Sequence, residues 1–189
     1  RRLRVDPGNP DILVVATTRG GHGRNAGDVT TTPSGLRGVL RSTDGGVTWT
    51  RTLAGESSAL EVDPRSFSRQ YAAIALGNDR NGVYRSTNGG VSWSRLDGPW
   101  WSNPADISVS NGRIELAMSQ SNPDVVYASI AEAVGSPKRN DLVGLFRTEN
   151  AWADNPNWIR VPLEAIGPGA YCGATPGEGG KCEYSHVIS

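Results

Sequence analysis

Four aspartates in segments rich in glycine, asparagine and proline could supply acid–base chemistry: Asp28, Asp79, Asp106 and Asp141. Two carboxyl groups held about 5–10 Å apart can cleave a glycosidic bond, one as the acid and the other as the base or nucleophile. The candidate catalytic residues are Asp79, in GNDRNG, and Asp106, in DGPWWSNPAD. Such a pair needs a rigid framework that brings separate segments together.

The same segments contain side chains suited to binding a ligand. Trp100 and Trp101 are adjacent, and exposed aromatic pairs can stack on flat ligand faces such as sugar rings. The alternative is that one or both indoles pack against neighbouring structure. The other binding candidates are polar or charged: His22, Arg24, Asp28 and Arg80. For His22 alone, a hydrogen bond within its own loop is the simpler interpretation.

Two cysteines, Cys172 and Cys182, enclose the segment GATPGEGGK. They could close a small disulfide in an oxidising compartment, or they could be two free thiols. Their spacing does not match a zinc site, and we expect no metal and no cofactor.

Composition excludes several classes of function. The chain has 19 basic and 19 acidic residues and a formal net charge of zero, so no electrostatic footprint for nucleic acid is present. No apolar run approaches the roughly 20 residues of a membrane-spanning helix. Short runs containing Val, Thr, Tyr and Trp alternate with turns rich in Gly, Asn, Asp and Pro. This pattern predicts an all-β protein.

An internal repeat organises the chain. The segment RSTDGGVTWTR, 41–51, returns as RSTNGGVSWSR, 85–95, and a degenerate third copy, RTENAWADNPNW, covers 147–158. Upstream of each copy lies a related stretch in which Asp6, Asp63 and Ser119 are equivalent. Each repeat is about one third of the chain and predicts four short strands. In the middle repeat the predicted strands are 59–62, 71–76, 82–86 and 91–96.

Four-stranded antiparallel units repeated at this spacing predict β-propeller blades. The expected blades cover about 1–53, 58–97 and 113–162, and a fourth is expected to start at about 184–189. Propellers close with about four to eight blades. We therefore expect these three blades to belong to a larger propeller of six to eight blades. The alternative is a three-blade chain that dimerises to six.

The phrase STDGGVTW resembles the Asp-box, or BNR repeat, with the pattern S-x-D-x-G-x-T-W. The residues that match are Ser42, Asp44, Gly46 and Trp49 in the first copy, and Ser86, Asn88, Gly90 and Trp93 in the second. Asp-boxes occur in sialidases, xyloglucan-cleaving propellers and sortilin-type receptors, and the surrounding sequence looks most like secreted bacterial propellers. The resemblance implies an architecture and a secreted, periplasmic or extracellular location, and leaves the activity open.

The box itself is expected to be structural. Its glycines can adopt positive φ in a tight reversal, and a short Asp or Asn side chain can accept the backbone N–H groups of the turn. The tryptophan offers a large apolar surface to pack between blades. Asn88 replaces Asp44 in the second copy. A turn tolerates that exchange, whereas a general acid does not.

Loop lengths indicate where function is expected. The connections between the second and third strands, and from one blade to the next, vary in length, and in an up-and-down blade both emerge on one face. We expect this face to recognise a glycan or protein ligand. The alternative is glycoside hydrolysis by carboxylates of the same face. Against it, the sialidase Arg-Ile-Pro pattern is absent and no Tyr–Glu nucleophile pair is evident. Expected partners also include further blades or a second copy of the chain.

Overall fold

A computed structural model describes residues 2–18, 37–75, 80–100, 111–132 and 142–162. The described residues form β-strands joined by turns, without a helix, and therefore contain no helix that could cross a membrane. The strands make three separate four-stranded antiparallel sheets. The prediction of an all-β protein built from propeller-type units is confirmed.

Within each sheet, the four strands follow one another in sequence order, so every neighbour is joined by a hairpin-like connection. The first sheet contains β1 (Arg2–Asp6), β2 (Asn9–Thr17), β3 (Gly38–Ser42) and β4 (Thr50–Ala54). The second contains β5 (Glu56–Asp63), β6 (Ser66–Ala75), β7 (Gly82–Ser86) and β8 (Ser94–Arg95). The third contains β9 (Asn111–Met118), β10 (Val126–Glu132), β11 (Leu142–Thr148) and β12 (Trp158–Arg160).

This meander separates the connections onto two edges. The connections from the second to the third strand, and from sheet to sheet, lie at one edge, called the loop face. The hairpins between the first and second strands, and the turns between the third and fourth, lie at the opposite edge, called the turn face. On the loop face, β2 and β3 are separated by residues 18–37, and β8 and β9 by residues 96–110. On the turn face, β1 and β2 are separated only by residues 7–8.

The fourth strand of the middle unit is shorter than predicted. It covers only Ser94–Arg95, whereas the sequence pattern predicts 91–96. The turn before it takes up the difference: the Ser92 N–H is held by the Asn88 side chain, and the Trp93 indole reaches the first sheet. The first two strands of this unit, conversely, are longer than predicted, and β7 has the predicted bounds.

The turn between the third and fourth strand of each sheet is called the box turn: residues 42–49, 86–93 and 148–158. In the first, the Ser42 hydroxyl accepts the Gly46 N–H at 2.9 Å, and the Asp44 carboxylate accepts the Thr48 N–H at 2.9 Å. Gly45 and Gly46 have φ of 70° and 91°, a region that glycine enters without steric cost. The side chains thus satisfy the backbone donors that the reversal frees.

The second box turn makes the same bonds with an amide in place of the carboxylate. Asn88 Oδ1 accepts the Ser92 N–H at 3.0 Å, and its Nδ2 donates to the Ser92 hydroxyl at 2.8 Å. In the first turn the hydroxyl has the opposite role, since Thr48 Oγ1 donates to Asp44. A hydroxyl can donate or accept, so the turn accommodates either side chain. The arrangement is that of a structural turn.

The third box turn keeps this arrangement despite its insertion. Thr148 Oγ1 donates to Asn150 Oδ1 at 2.8 Å, as Ser42 Oγ donates to Asp44 in the first turn. The same Asn150 oxygen accepts the N–H of Asn157, further along the chain than in the other turns, at 2.8 Å. The extra residues are therefore looped out between the two bonds.

Two apolar clusters join the three sheets. The first and second sheets meet around Val14, Val39 and Leu60, with Trp93 packed against them. The second and third meet around Tyr71, Ile114 and Phe146, together with the larger part of the core. Because the second sheet is covered on both faces, its strand β7 is buried at four of five positions and shows no alternation of burial.

Candidate functional site

The loop face is the candidate functional site, and most of the side chains predicted to act there lie outside the described residues. Those are His22, Arg24, Asp28, Asp79, Trp101, Asp106 and Asp141. The cysteines Cys172 and Cys182 and the expected fourth blade at 184–189 also lie outside them. The structure describes two of the ligand candidates, Arg80 and Trp100, and the strand ends that support the loops.

Trp100 is a core residue, which corrects its assignment as a ligand-binding side chain. Its side chain is only 4% exposed. The indole packs edge-to-face on Phe146 at 5.4 Å and on Trp158 at 5.1 Å between ring centroids. Trp100 thus follows the alternative interpretation, in which the indole packs against neighbouring structure. The physical reason is that an indole buries a large apolar area when the cleft between two sheets is open to it.

Arg80 lies on the loop face immediately before β7. The Tyr84 hydroxyl donates to its backbone carbonyl at 2.6 Å, which fixes the chain where it enters the strand. Its neighbour Asn81 is fully buried, whereas Arg80 itself is exposed. Arg80 therefore remains a ligand-binding candidate, held on a rigid support.

Glu56 is a buried carboxylate at the loop face that sequence reasoning missed. It is the first residue of β5 and is 8% exposed. One carboxylate oxygen accepts the Thr18 hydroxyl at 2.9 Å, and the other accepts Arg37 Nη1 at 3.2 Å. Thr18 and Arg37 are the two ends of the connection from β2 to β3. Glu56 thus fastens both ends of that loop to the second sheet.

The loop ends are further constrained by Thr17. Its hydroxyl donates to the Gly38 carbonyl at 3.1 Å and accepts the Gly38 N–H at 3.0 Å. Together with Glu56, these bonds define where the segment with His22, Arg24 and Asp28 leaves and re-enters the framework.

A second group of missed carboxylates lies on the first strands of the sheets. Glu61 on β5 is 5% exposed and pairs with Arg2 and Arg4 of β1, the latter at 3.5 Å. Glu115 on β9 is 6% exposed and pairs with Arg113 at 2.5 Å. Burial raises the pKa of Glu115, and the Arg113 charge opposes that rise. The available signal was the alternation of charged residues along these strands.

The Glu61 pairs join the first sheet to the second, whereas the Glu115 pair lies within β9, and both carboxylates are engaged by arginines. An ionised carboxylate this well buried is tolerated because an arginine compensates the lost hydration. Asp63 follows the same rule, since it is 1% exposed and accepts two bonds from the Arg65 guanidinium. Within the described ranges, no group of three or more His, Cys, Asp and Glu side chains could hold a metal ion.

Comparison with solved structures identifies similar folds. A GH74 enzyme from Niastella koreensis aligns with 85% of this chain at a TM-score of 0.53 and 22% identity. An ancestral GH74 enzyme aligns with 87% of this chain at a TM-score of 0.53 and 21% identity. This chain spans only 21% and 18% of those two proteins. At such identity the similarity shows the shared fold alone. No protein family and no curated protein matches the chain.

Proposed function

We propose that this chain is part of an extracellular Asp-box β-propeller that recognises a glycan through its loop face. The observation that carries the proposal is the division of the connections. The two longest, residues 18–37 and 96–110, leave from one edge of the sheets, and Glu56 holds Thr18 and Arg37, the two ends of the first. Binding sites are commonly formed by loops on such rigid frameworks.

A glycan is preferred to a protein as the ligand for two reasons. Trp101 belongs to a loop-face segment, and an indole can stack on the apolar face of a sugar ring. The fold is also similar to that of two GH74 enzymes, which supports carbohydrate as the ligand class. His22, Arg24, Asp28 and Arg80 would supply polar contacts to the hydroxyl groups. Arg80 has the rigid support described above.

The test is binding to a panel of soluble polysaccharides, with xyloglucan, mixed-linkage glucan and a mannan as members, followed by affinity electrophoresis and calorimetry. Trp101→Ala and Arg80→Ala should each weaken binding by roughly tenfold or more, as expected for a lost stacking or charged contact. Asp44→Asn, on the turn face, is the matched control and should bind like the parent. Absence of binding to every polysaccharide would refute the proposal.

Glycoside hydrolysis is the second candidate function, and the similarity to GH74 enzymes is the observation that favours it. The buried carboxylates Glu56, Glu61, Asp63 and Glu115 are engaged by arginines, so the acid and base would be Asp79 and Asp106. Release of reducing ends from the same panel measures this activity. Loss of hydrolysis in Asp79→Asn and Asp106→Asn, with binding retained, would assign them. Full activity in both variants would refute the assignment.

An extracellular location also predicts a disulfide between Cys172 and Cys182. Alkylation of the unfolded but unreduced protein should then add no mass, whereas alkylation after reduction should label both cysteines. Two labels without reduction would contradict the disulfide.

A further inference from the structure

Each of the two interfaces between sheets contains an equivalent arginine contact. Arg41 on β3 of the first sheet donates from Nε to the Gly89 carbonyl in the second box turn, at 3.1 Å. Arg85 on β7 of the second sheet donates from Nη1 to the Ala151 carbonyl in the third box turn, at 3.0 Å. Gly89 and Ala151 are equivalent, because each follows the Asn of its turn and donates its N–H to a carbonyl at or just before the start of the second strand. The first and second sheets therefore each bind the box turn of the next sheet through an arginine, a contact called the grip.

Aromatic side chains complete this contact. The Tyr71 hydroxyl of the second sheet donates to the same Ala151 carbonyl at 2.5 Å. In the opposite direction, the indoles of the second and third box turns pack back on the preceding sheet. Trp93 donates to Thr52 Oγ1 at 3.2 Å, and Trp158, 6% exposed, packs on Tyr71.

The third sheet carries the equivalent arginine and tyrosine, but among the described residues no box turn of a following sheet contacts them. Arg147 and Tyr127 are equivalent to Arg85 and Tyr71. The Arg147 guanidinium lies 5.7 Å from the Tyr127 ring and donates to Glu149 at 2.5 Å. Along β11, Val143, Leu145 and Arg147 are half-buried, whereas the residues between them are buried. This row, with Tyr127, is called the open grip.

The first sheet presents the complementary surface. Gly45 is exposed and Gly46 half-buried, whereas their equivalents Gly89 and Gly90 are both buried against the first sheet. Trp49 is 36% exposed, and its indole donates within its own turn. On β1 of the same sheet, Leu3 and Val5 are 51% and 48% exposed, and they alternate with Arg2 and Arg4, which pair with the second sheet. This surface of box turn and β1 is called the open turn.

We propose that the open grip of one copy of this chain binds the open turn of a second copy, with Arg147 donating to the Gly45 carbonyl of that second copy. Within the described part of the chain, which forms this interface twice, one further copy of each half remains uncovered. A contact between different surfaces closes into a ring when its rotation allows. Two copies joined this way would bring their six described sheets into one ring, within the range of four to eight blades in propellers.

Sedimentation velocity of the chain over a wide concentration range tests this inference. The parent should self-associate to a dimer. Arg147→Ala, in the grip, and Trp49→Ala, in the turn, should each weaken dimerisation at least tenfold. Arg160→Ala, at another exposed arginine of the third sheet, is the matched control and should dimerise like the parent. Far-ultraviolet circular dichroism of each variant verifies that it is folded.

Mixing provides the sharper test, because each variant damages a different half of the interface. Arg147→Ala retains the open turn and Trp49→Ala retains the open grip, so an equimolar mixture should form a heterodimer more strongly than either variant alone. The double variant should not associate with itself. A parent chain that stays monomeric, as expected if a sheet of the same polypeptide fills the grip, would overturn the proposal. Dimerisation that is unaffected by Arg147→Ala would overturn it too.

Discussion

Tyr71 and Tyr127 provide a test of the packing between sheets, because they occupy equivalent positions on a closed and an open surface. Tyr71 is fully buried. Its ring packs edge-to-face on Trp152 at 5.2 Å and on Trp158 at 6.3 Å, and its hydroxyl donates to Ala151. Burial raises the pKa of Tyr71 well above its usual value, so the hydroxyl remains protonated and can donate. Tyr127 is half-buried.

The expected losses of stability follow from these contacts. Truncating a buried aromatic ring to alanine costs about 3–5 kcal/mol, and a net hydrogen bond adds about 1 kcal/mol. Tyr71→Ala should therefore lower the free energy of unfolding by about 4–6 kcal/mol, and Tyr71→Phe by about 1 kcal/mol. Tyr127→Ala should cost no more than about 1 kcal/mol, as is usual away from a packed core.

Urea-induced unfolding, followed by tryptophan fluorescence and circular dichroism at a concentration low enough to keep the chain monomeric, measures these differences. If Tyr71→Ala does not fold, the losses of stability in Tyr71→Phe and Tyr127→Phe can still be compared. Equal losses at the two tyrosines would refute the arrangement in which the second sheet is covered and the third is open.

Two further predictions concern the box turns. Gly90→Ala should destabilise the protein more than Gly46→Ala, because a Cβ at Gly90 would meet Gln70 at 3.0 Å and Val14 at 3.2 Å, whereas at Gly46 the nearest atom is 3.5 Å away. Urea unfolding of both variants measures the two losses of stability. Equal losses would contradict the prediction. Hydrogen bonds from Thr48 and Ser42 lower the pKa of Asp44 to about 2 from its ordinary value of 3.8. Its folded pKa lies below the unfolded one, so its stabilisation is present above pH about 4 and is lost as the pH falls towards 2. Asp44→Asn should remove that part of the acid sensitivity in unfolding measured across this range, and an unchanged pH dependence would contradict it.

The repeat predicted the architecture well because its signals are local. The glycine pairs and the Ser and Asp or Asn side chains of the box turns are adjacent in sequence and satisfy each other in the structure. The same locality explains the bounds of β7, which runs directly into its box turn. The end of the strand pattern at Trp93 was predicted less well, because that indole makes its contact with Thr52 on another sheet.

The candidate site was less predictable because its features depend on contacts between distant segments. Trp100 sits in a loop with no alternation to reveal that it enters the core beside Phe146 and Trp158. In the sequence, Glu56 has no feature that sets it apart from an exposed acidic residue. Its role depends on contacts with Thr18 and Arg37, which are distant in sequence. Neither position carries a local pattern that distinguishes burial from exposure.

The most direct test of loop-face recognition is hydrogen–deuterium exchange with and without a bound polysaccharide from the panel. We predict that ligand binding slows exchange in peptides containing Thr18, Arg37 and Arg80, which flank the loop face. Exchange in the box turn 86–93, at the opposite edge, should be unchanged. Slower exchange in the box turns, together with unchanged exchange in the loop-face peptides, would contradict loop-face recognition.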